Sequence, residues 1–178
     1  LHMHPIFATS STNSVAPILY DAARSPSRTS VQNGEAVPAH VLAEPATDPP
    51  TSAKLVLRCD RFPWEVIVTA GCAGSSSTPS STRAQVTNND VLHAVYHTLR
   101  APVLHSEWNT LDSDRSTQRR VSRAYQRQET GEGKEGVRRV DWLMGRTRLV
   151  GIVVERSVGH GGSLDGVEGV GKLVFTKE

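Results

Sequence analysis

The order of residue patterns along this chain predicts an α+β domain. We expect a mostly antiparallel sheet of about 4–6 strands with two helices packed on one face. Three observations carry that expectation. The stretch Lys54–Ala70, KLVLRCDRFPWEVIVTA, is the densest apolar run and alternates as strands do. Two segments between Thr87 and Gln128 place apolar residues at helical spacing. Beyond them, Leu149–Val154 is rich in β-branched residues, and Leu173-Val174-Phe175 supplies a last short strand.

Within Lys54–Ala70, Leu55, Leu57 and Cys59 fall on one face, and Trp64, Val66, Val68 and Ala70 fall on one face after a turn at Asp60-Arg61-Phe62-Pro63. That turn sets Cys59 opposite Trp64 and leaves Cys72 beyond the paired region, so a bridge between the two cysteines is not expected. Two reduced thiols suit an intracellular, cytoplasmic protein.

The preceding residues 1–53 are Pro/Ser-rich, with short apolar islands, and read as an extended N-terminal arm. The arm is expected to add one edge strand near Ile18–Tyr20, and its opening Leu1-His2-Met3 has the look of a cloning remnant. Residues 54–178 then form the single α+β domain, with flexible loops at 71–83 (GCAGSSSTPSSTR) and 159–171.

Thr87 with Asp90 three residues later makes a capping-box variant that starts a helix. Val91, Leu92, Val95, Tyr96 and Leu99 form its apolar stripe at helical spacing, and Pro102 ends it. A second helix begins at Ser106 or at Asp112–Asp114 and runs to about Gln128, with Trp108, Leu111, Val121 and Tyr125 on one side. The segment Val137–Glu155 reads as a second hairpin turning at Met144-Gly145. Trp64, Trp108 and Trp142 are expected to anchor the core where sheet and helices meet.

Composition narrows function. The 178 residues carry a net charge of only +2, so no overall field calls for nucleic acid or membrane. No apolar run approaches the roughly 20 residues that span a bilayer. The charge is uneven, however: Arg115–Arg148 holds ten Lys/Arg against Glu129, Glu132, Glu135 and Asp141, a local balance of 10 − 4 = +6.

Several motifs fail on mechanism. Gly166-Val-Glu-Gly-Val-Gly171-Lys172 has the spacing of a phosphate-binding loop, but Leu173 stands where the magnesium-binding hydroxyl belongs and no helix can follow. His93 and His97, four apart, could share a metal, yet Ala94 replaces the glutamate of H-E-x-x-H and a solvated helix face explains them better. Neither Cys59 nor Cys72 sits in a nucleophile motif, and no G-x-S-x-G occurs. No catalytic residue, metal ligand or cofactor is therefore assigned.

The arginines are the sharpest hint. Arg115, Arg119, Arg120, Arg123 and Arg127 share one side of the second helix, where like charges at i,i+4 cost a few tenths of a kcal/mol per pair. Arg138 extends that set, and Arg139, Arg146 and Arg148 of the following hairpin could widen it. Guanidinium groups recognise carboxylate or phosphate bidentately. The bland alternative is a solvated face paired with acids of the same fold, Asp112, Asp114 and Glu129 among them. The functional reading is a non-enzymatic module that binds an acidic protein or peptide. A small hydrolase-like enzyme with a cleft between helices and sheet is one alternative. A nucleic-acid-associated protein is another, disfavoured because Tyr125 and Trp142 are expected in the core rather than free to stack.

Several short motifs occur together: His4-Pro5, Leu19-Tyr20-Asp21, Ala46–Pro50 (ATDPP), Pro63–Val68 (PWEVIV), Val86–Arg100 (VTNNDVLHAVYHTLR) and Gly136–Ile152 (GVRRVDWLMGRTRLVGI). In combination they resemble an uncharacterised domain family abundant in mushroom-forming (basidiomycete) fungi, over about His4 to Val154. The resemblance implies a fungal, intracellular protein and carries over no activity and no catalytic residue.

Overall fold

Alternation in the apolar run is realised as β5 (Lys54–Cys59) and β6 (Phe62–Thr69), an antiparallel hairpin with Leu55 opposite Val68 and Leu57 opposite Val66. The computed structural model describes residues 1–9, 15–31, 33–52, 54–71, 85–109, 115–128, 136–154 and 167–177. The hairpin turn is tighter than the sequence suggested. An irregularity between Leu57 and Cys59 brings Cys59 opposite Phe62 rather than Trp64, and only Asp60 and Arg61 remain outside the strands. Pro63 can sit within β6 because β6 is an edge strand, where a missing N–H leaves no ladder bond unmade.

Six strands form the main sheet in the order β3–β2–β7–β8–β5–β6. Here β2 is Ile18–Asp21, β3 Ser30–Val31, β7 Arg148–Val154 and β8 Val167–Thr176. All neighbours are antiparallel except β5 and β8, which run parallel. The α+β expectation holds. Residues before Lys54 are woven into this architecture. β2 is flanked by β3 and β7 rather than lying at an edge. In addition β1 (His2–Met3) pairs with β4 (Thr47–Asp48), Met3 is buried, and Ile152 N–H donates to Phe7 O at 2.8 Å.

One face of the sheet, including Leu55, Leu57, Val66, Val68, Leu149, Ile152, Leu173 and Phe175, is buried in the core. Against it lies α2 (Asn88–Arg100), which contributes the fully buried Val91, Leu92, Val95 and Leu99. Its start is the expected capping box: Thr87 Oγ1 accepts Asp90 N–H (3.2 Å), and Asp90 Oδ2 accepts Thr87 N–H (3.0 Å). Short helices α1 (Ala39–Ala43) and α3 (His105–Asn109) flank it, and α4 (Arg115–Gln128) follows. α4 packs on a 3₁₀ turn, Arg139–Leu143.

That turn corrects the second expected hairpin. Val140, Asp141, Trp142 and Leu143 are all buried in succession, which a strand with one solvated face cannot do. Met144 (φ 52°) and Gly145 (φ 78°) then reverse the chain into β7, at the expected place. The Gly-rich tail is a second correction: residues 167–171 are strand, not loop, and extend the expected Leu173–Phe175 at its N-terminal side. Gly171 fits closely there, since a Cβ would stand 3.0 Å from both Ile152 Cγ2 and Leu57 Cδ2 and oblige those side chains to shift. Cys72 and nearly all of the Ser-rich loop lie outside the described residues.

Candidate interaction surface

The arginines expected to act together meet different fates. Val121 is fully buried and seats α4 on the 3₁₀ turn, leaving Arg119, Arg120 and Arg123 exposed on the far side. Among the described residues, none of these three forms an ion pair with an acid. The side chains of Arg115 and Arg127 lie outside the described set, as do Asp112, Asp114 and Glu129. Arg138 is half-buried just before the 3₁₀ turn and lines a groove of about 500 Å³ with Arg100, Pro102 and Gly136. Arg100, exposed at the end of α2, has its guanidinium 5.6 Å from the Tyr96 ring centre.

Arg139 leaves the surface altogether. Its Nη2 donates to Glu107 Oε1 at 2.6 Å, with the two side chains only 20% and 17% exposed, and its guanidinium lies 4.8 Å from the Trp64 ring centre. Trp64 meets Trp142 at 4.9 Å between ring centres, and Trp142 meets Trp108 edge-on at 6.2 Å. The three tryptophans thus anchor the junction of β6, α3 and the 3₁₀ turn, as the sequence suggested. Burial pulls the Glu107 pKa upward, but the Leu104 N–H and Arg139 outweigh it and hold the carboxylate below its ordinary value. Sequence reasoning missed this clasp because Glu107 and Arg139 are 32 residues apart. Arg146 is exposed beside the turn, and Arg148 joins β7 opposite Asp21, in a different neighbourhood.

Groups with potential chemistry are placed unfavourably for it. Cys59 is a buried free thiol whose pKa burial raises, the reverse of what a nucleophile needs. The rings of His93 and His97 stand 5.9 Å apart, and burial followed by the nearby His97 lowers the His93 pKa. Among the described residues, no third His, Cys, Asp or Glu joins them to make a metal cluster. Lys172, the lysine of the phosphate-loop spacing, sits in β8 and pairs with Asp60 at 2.5 Å.

The motifs that resemble a family signature turn out to fasten the fold. His4 Nδ1 accepts Ile6 N–H (3.2 Å), which makes Nε2 the donor toward Glu44 (2.7 Å). Thr47 Oγ1 accepts Thr51 N–H at 3.0 Å, and Asn88 Nδ2 donates to Val41 O at 2.7 Å. Asp21 and Asp141 accept backbone N–H groups of Ala23 and Arg138.

Fold and surface together define an α+β domain with polar fastenings inside and, outside, arginines that pair with no acid among the described residues. By sequence the chain belongs to a family of unknown function (DUF6699), whose model matches residues 18–162. No curated protein and no solved structure matches it. No helix among the described residues is long and apolar enough to cross a membrane.

Proposed function

We propose that this chain is a non-enzymatic interaction module that binds an acidic protein or peptide through the arginine face of α4, continued by Arg138. The observation that carries the reading is the exposure of Arg119, Arg120 and Arg123 without a described acid to neutralise them. Keeping Arg119 and Arg123 one helical turn apart costs a few tenths of a kcal/mol. A multi-carboxylate partner would convert that cost into paired, charge-assisted hydrogen bonds. The groove between Arg100 and Arg138 offers further room for a carboxylate. A fungal, cytoplasmic setting belongs to the same reading and rests on the motif resemblance.

The test is fluorescence anisotropy with a labelled glutamate-rich peptide and, in parallel, a single-stranded RNA of matched charge. We expect salt-sensitive binding of the peptide, weakened at least tenfold when Arg119, Arg120 and Arg123 are all changed to Glu. RNA bound more tightly than the peptide and lost in the same variant would replace this reading with the nucleic-acid one. Equal peptide binding by parent and variant would end it.

A further inference from the structure

A second group of arginines, remote in sequence from α4, lines a pocket of about 270 Å³ beside β2. Arg24 comes from the turn after β2, Arg28 from the short 3₁₀ helix Pro26–Arg28 that follows, and Arg148 from the start of β7, the cross-strand neighbour of Asp21. Among the described residues, Asp21 is the one acid in the lining; its Oδ2 lies 3.2 Å from Arg24 Nε, and its Oδ1 accepts Ala23 N–H. Three guanidiniums against one carboxylate leave 3 − 1 = +2 among the described lining residues. Arg28 and Arg148 have no ion pair with any described residue. Ser25 and Ser30 also line this space.

The loop that presents these groups is fastened at several points. Ala22 N–H donates to Thr147 O (2.9 Å), the Tyr20 hydroxyl to Arg24 O (3.3 Å), and the Thr29 hydroxyl to Pro26 O (2.6 Å). Tyr20, Ala22, Pro26 and Thr29 are buried beneath. Binding therefore requires little ordering of the backbone, which favours affinity for a small ligand.

We propose that this pocket binds a phosphoryl dianion, as a phosphomonoester. A doubly charged tetrahedral group matches the +2 lining, and several planar guanidiniums suit its three oxygens better than they suit a single carboxylate. The volume lies at the low end for ligand pockets, so it admits the phosphoryl group and a small attachment. The attachment belongs either to a free metabolite or to a phosphorylated side chain. The site is independent of the α4 surface.

The experiment is an amide-resolved NMR titration of the whole chain at pH 7.5 and constant ionic strength. The probes are inorganic phosphate, glycerol phosphate, a short phosphoserine peptide, its unphosphorylated form, and succinate. Phosphate is expected to shift the amides of Asp21–Ser30 and Arg148 saturably. Arg28→Gln and Arg148→Gln should each weaken binding at least fivefold, and the double variant should abolish it. Arg28→Lys should retain part of the affinity, and Arg61→Gln, at the exposed β5–β6 turn, should leave it unchanged. Thermal melts matching the parent confirm that the variants fold; if one does not, competition by glycerol phosphate against labelled phosphopeptide on the parent chain decides. Tighter binding of glycerol phosphate points to a metabolite and tighter binding of the peptide to a phosphoprotein, and either supports the proposal. Succinate binding as tightly as phosphate, shifts that do not saturate, or full affinity in the double variant would overturn it.

Discussion

Changing Arg139 to Ala should unfasten the junction of β6, α3 and the 3₁₀ turn, with a loss of stability that can be worked out from its contacts. The side chain makes a 2.6 Å charge-assisted hydrogen bond to Glu107 and covers the Trp64 ring at 4.8 Å. Hydrogen bonds to charged groups contribute about 1.5–3 kcal/mol. A partly desolvated cation–π contact adds about 0.5–2 kcal/mol. Since these terms overlap, the expected loss is about 2–4 kcal/mol, or roughly 5–15 °C in Tm for a chain of this length. Urea denaturation at pH 7, followed by tryptophan fluorescence, measures it, since Trp64, Trp108 and Trp142 all report on the junction.

The pair can be separated from the packing by a double-mutant cycle with Glu107→Gln, for which a coupling of about 1–2 kcal/mol is expected. Acid supplies a second check. The Glu107 pKa lies below its ordinary value of 4.5 in the fold, so its contribution is present above that value and lost as pH falls through the depressed one. The difference between parent and Arg139→Ala should therefore narrow near pH 3. A loss under about 0.5 kcal/mol, strict additivity with Glu107→Gln, or a gap indifferent to acid would refute the account.

Three further outcomes follow from single contacts. Thr87→Ala removes one half of the capping box of α2 and should cost about 0.5–2 kcal/mol in chemical denaturation. Gly151→Ala would place a Cβ 2.9 Å from Phe7 O and 2.5 Å from Thr9 Cγ2, where the opening residues cross β7; a loss of about 1–3 kcal/mol is expected, with faster proteolysis of the N-terminal segment. Asp141 is buried, with Oδ1 lacking a partner among the described residues, and burial raises its pKa despite the Arg138 N–H. Its contribution is then fullest below the unfolded value and is lost as pH rises through the raised one, so Asp141→Asn should gain in Tm relative to the parent between pH 4 and pH 7.

What was legible in the sequence is what depends on near neighbours. The alternation of β5 and β6 and the Thr87–Asp90 box are decided within a few residues, and both were readable to within a residue or two of register. The stretch Val140–Leu143 misled because a 3₁₀ turn and a strand leave similar apolar content, and only complete burial by α4 and the tryptophans separates them. Gly169 and Gly171 read as loop because what they accommodate, Leu55, Leu57 and Ile152, comes from distant strands. The arginines make the same point for function. Arg138 and Arg139 are adjacent and chemically identical, yet one lines a groove and the other is taken by an acid 32 residues earlier. No local pattern marks that difference. Nor did the extended-arm reading of residues 1–53 suggest that Arg24 and Arg28 would converge with Arg148 across the sheet. In this chain the signature-like polar residues, His4, Asp21, Asn88, Asp90 and Asp141, are engaged in holding backbone or closing the fold. Guanidiniums without an ion pair to any described residue gather on α4 and in the β2–β7 pocket, and binding experiments belong at those two places.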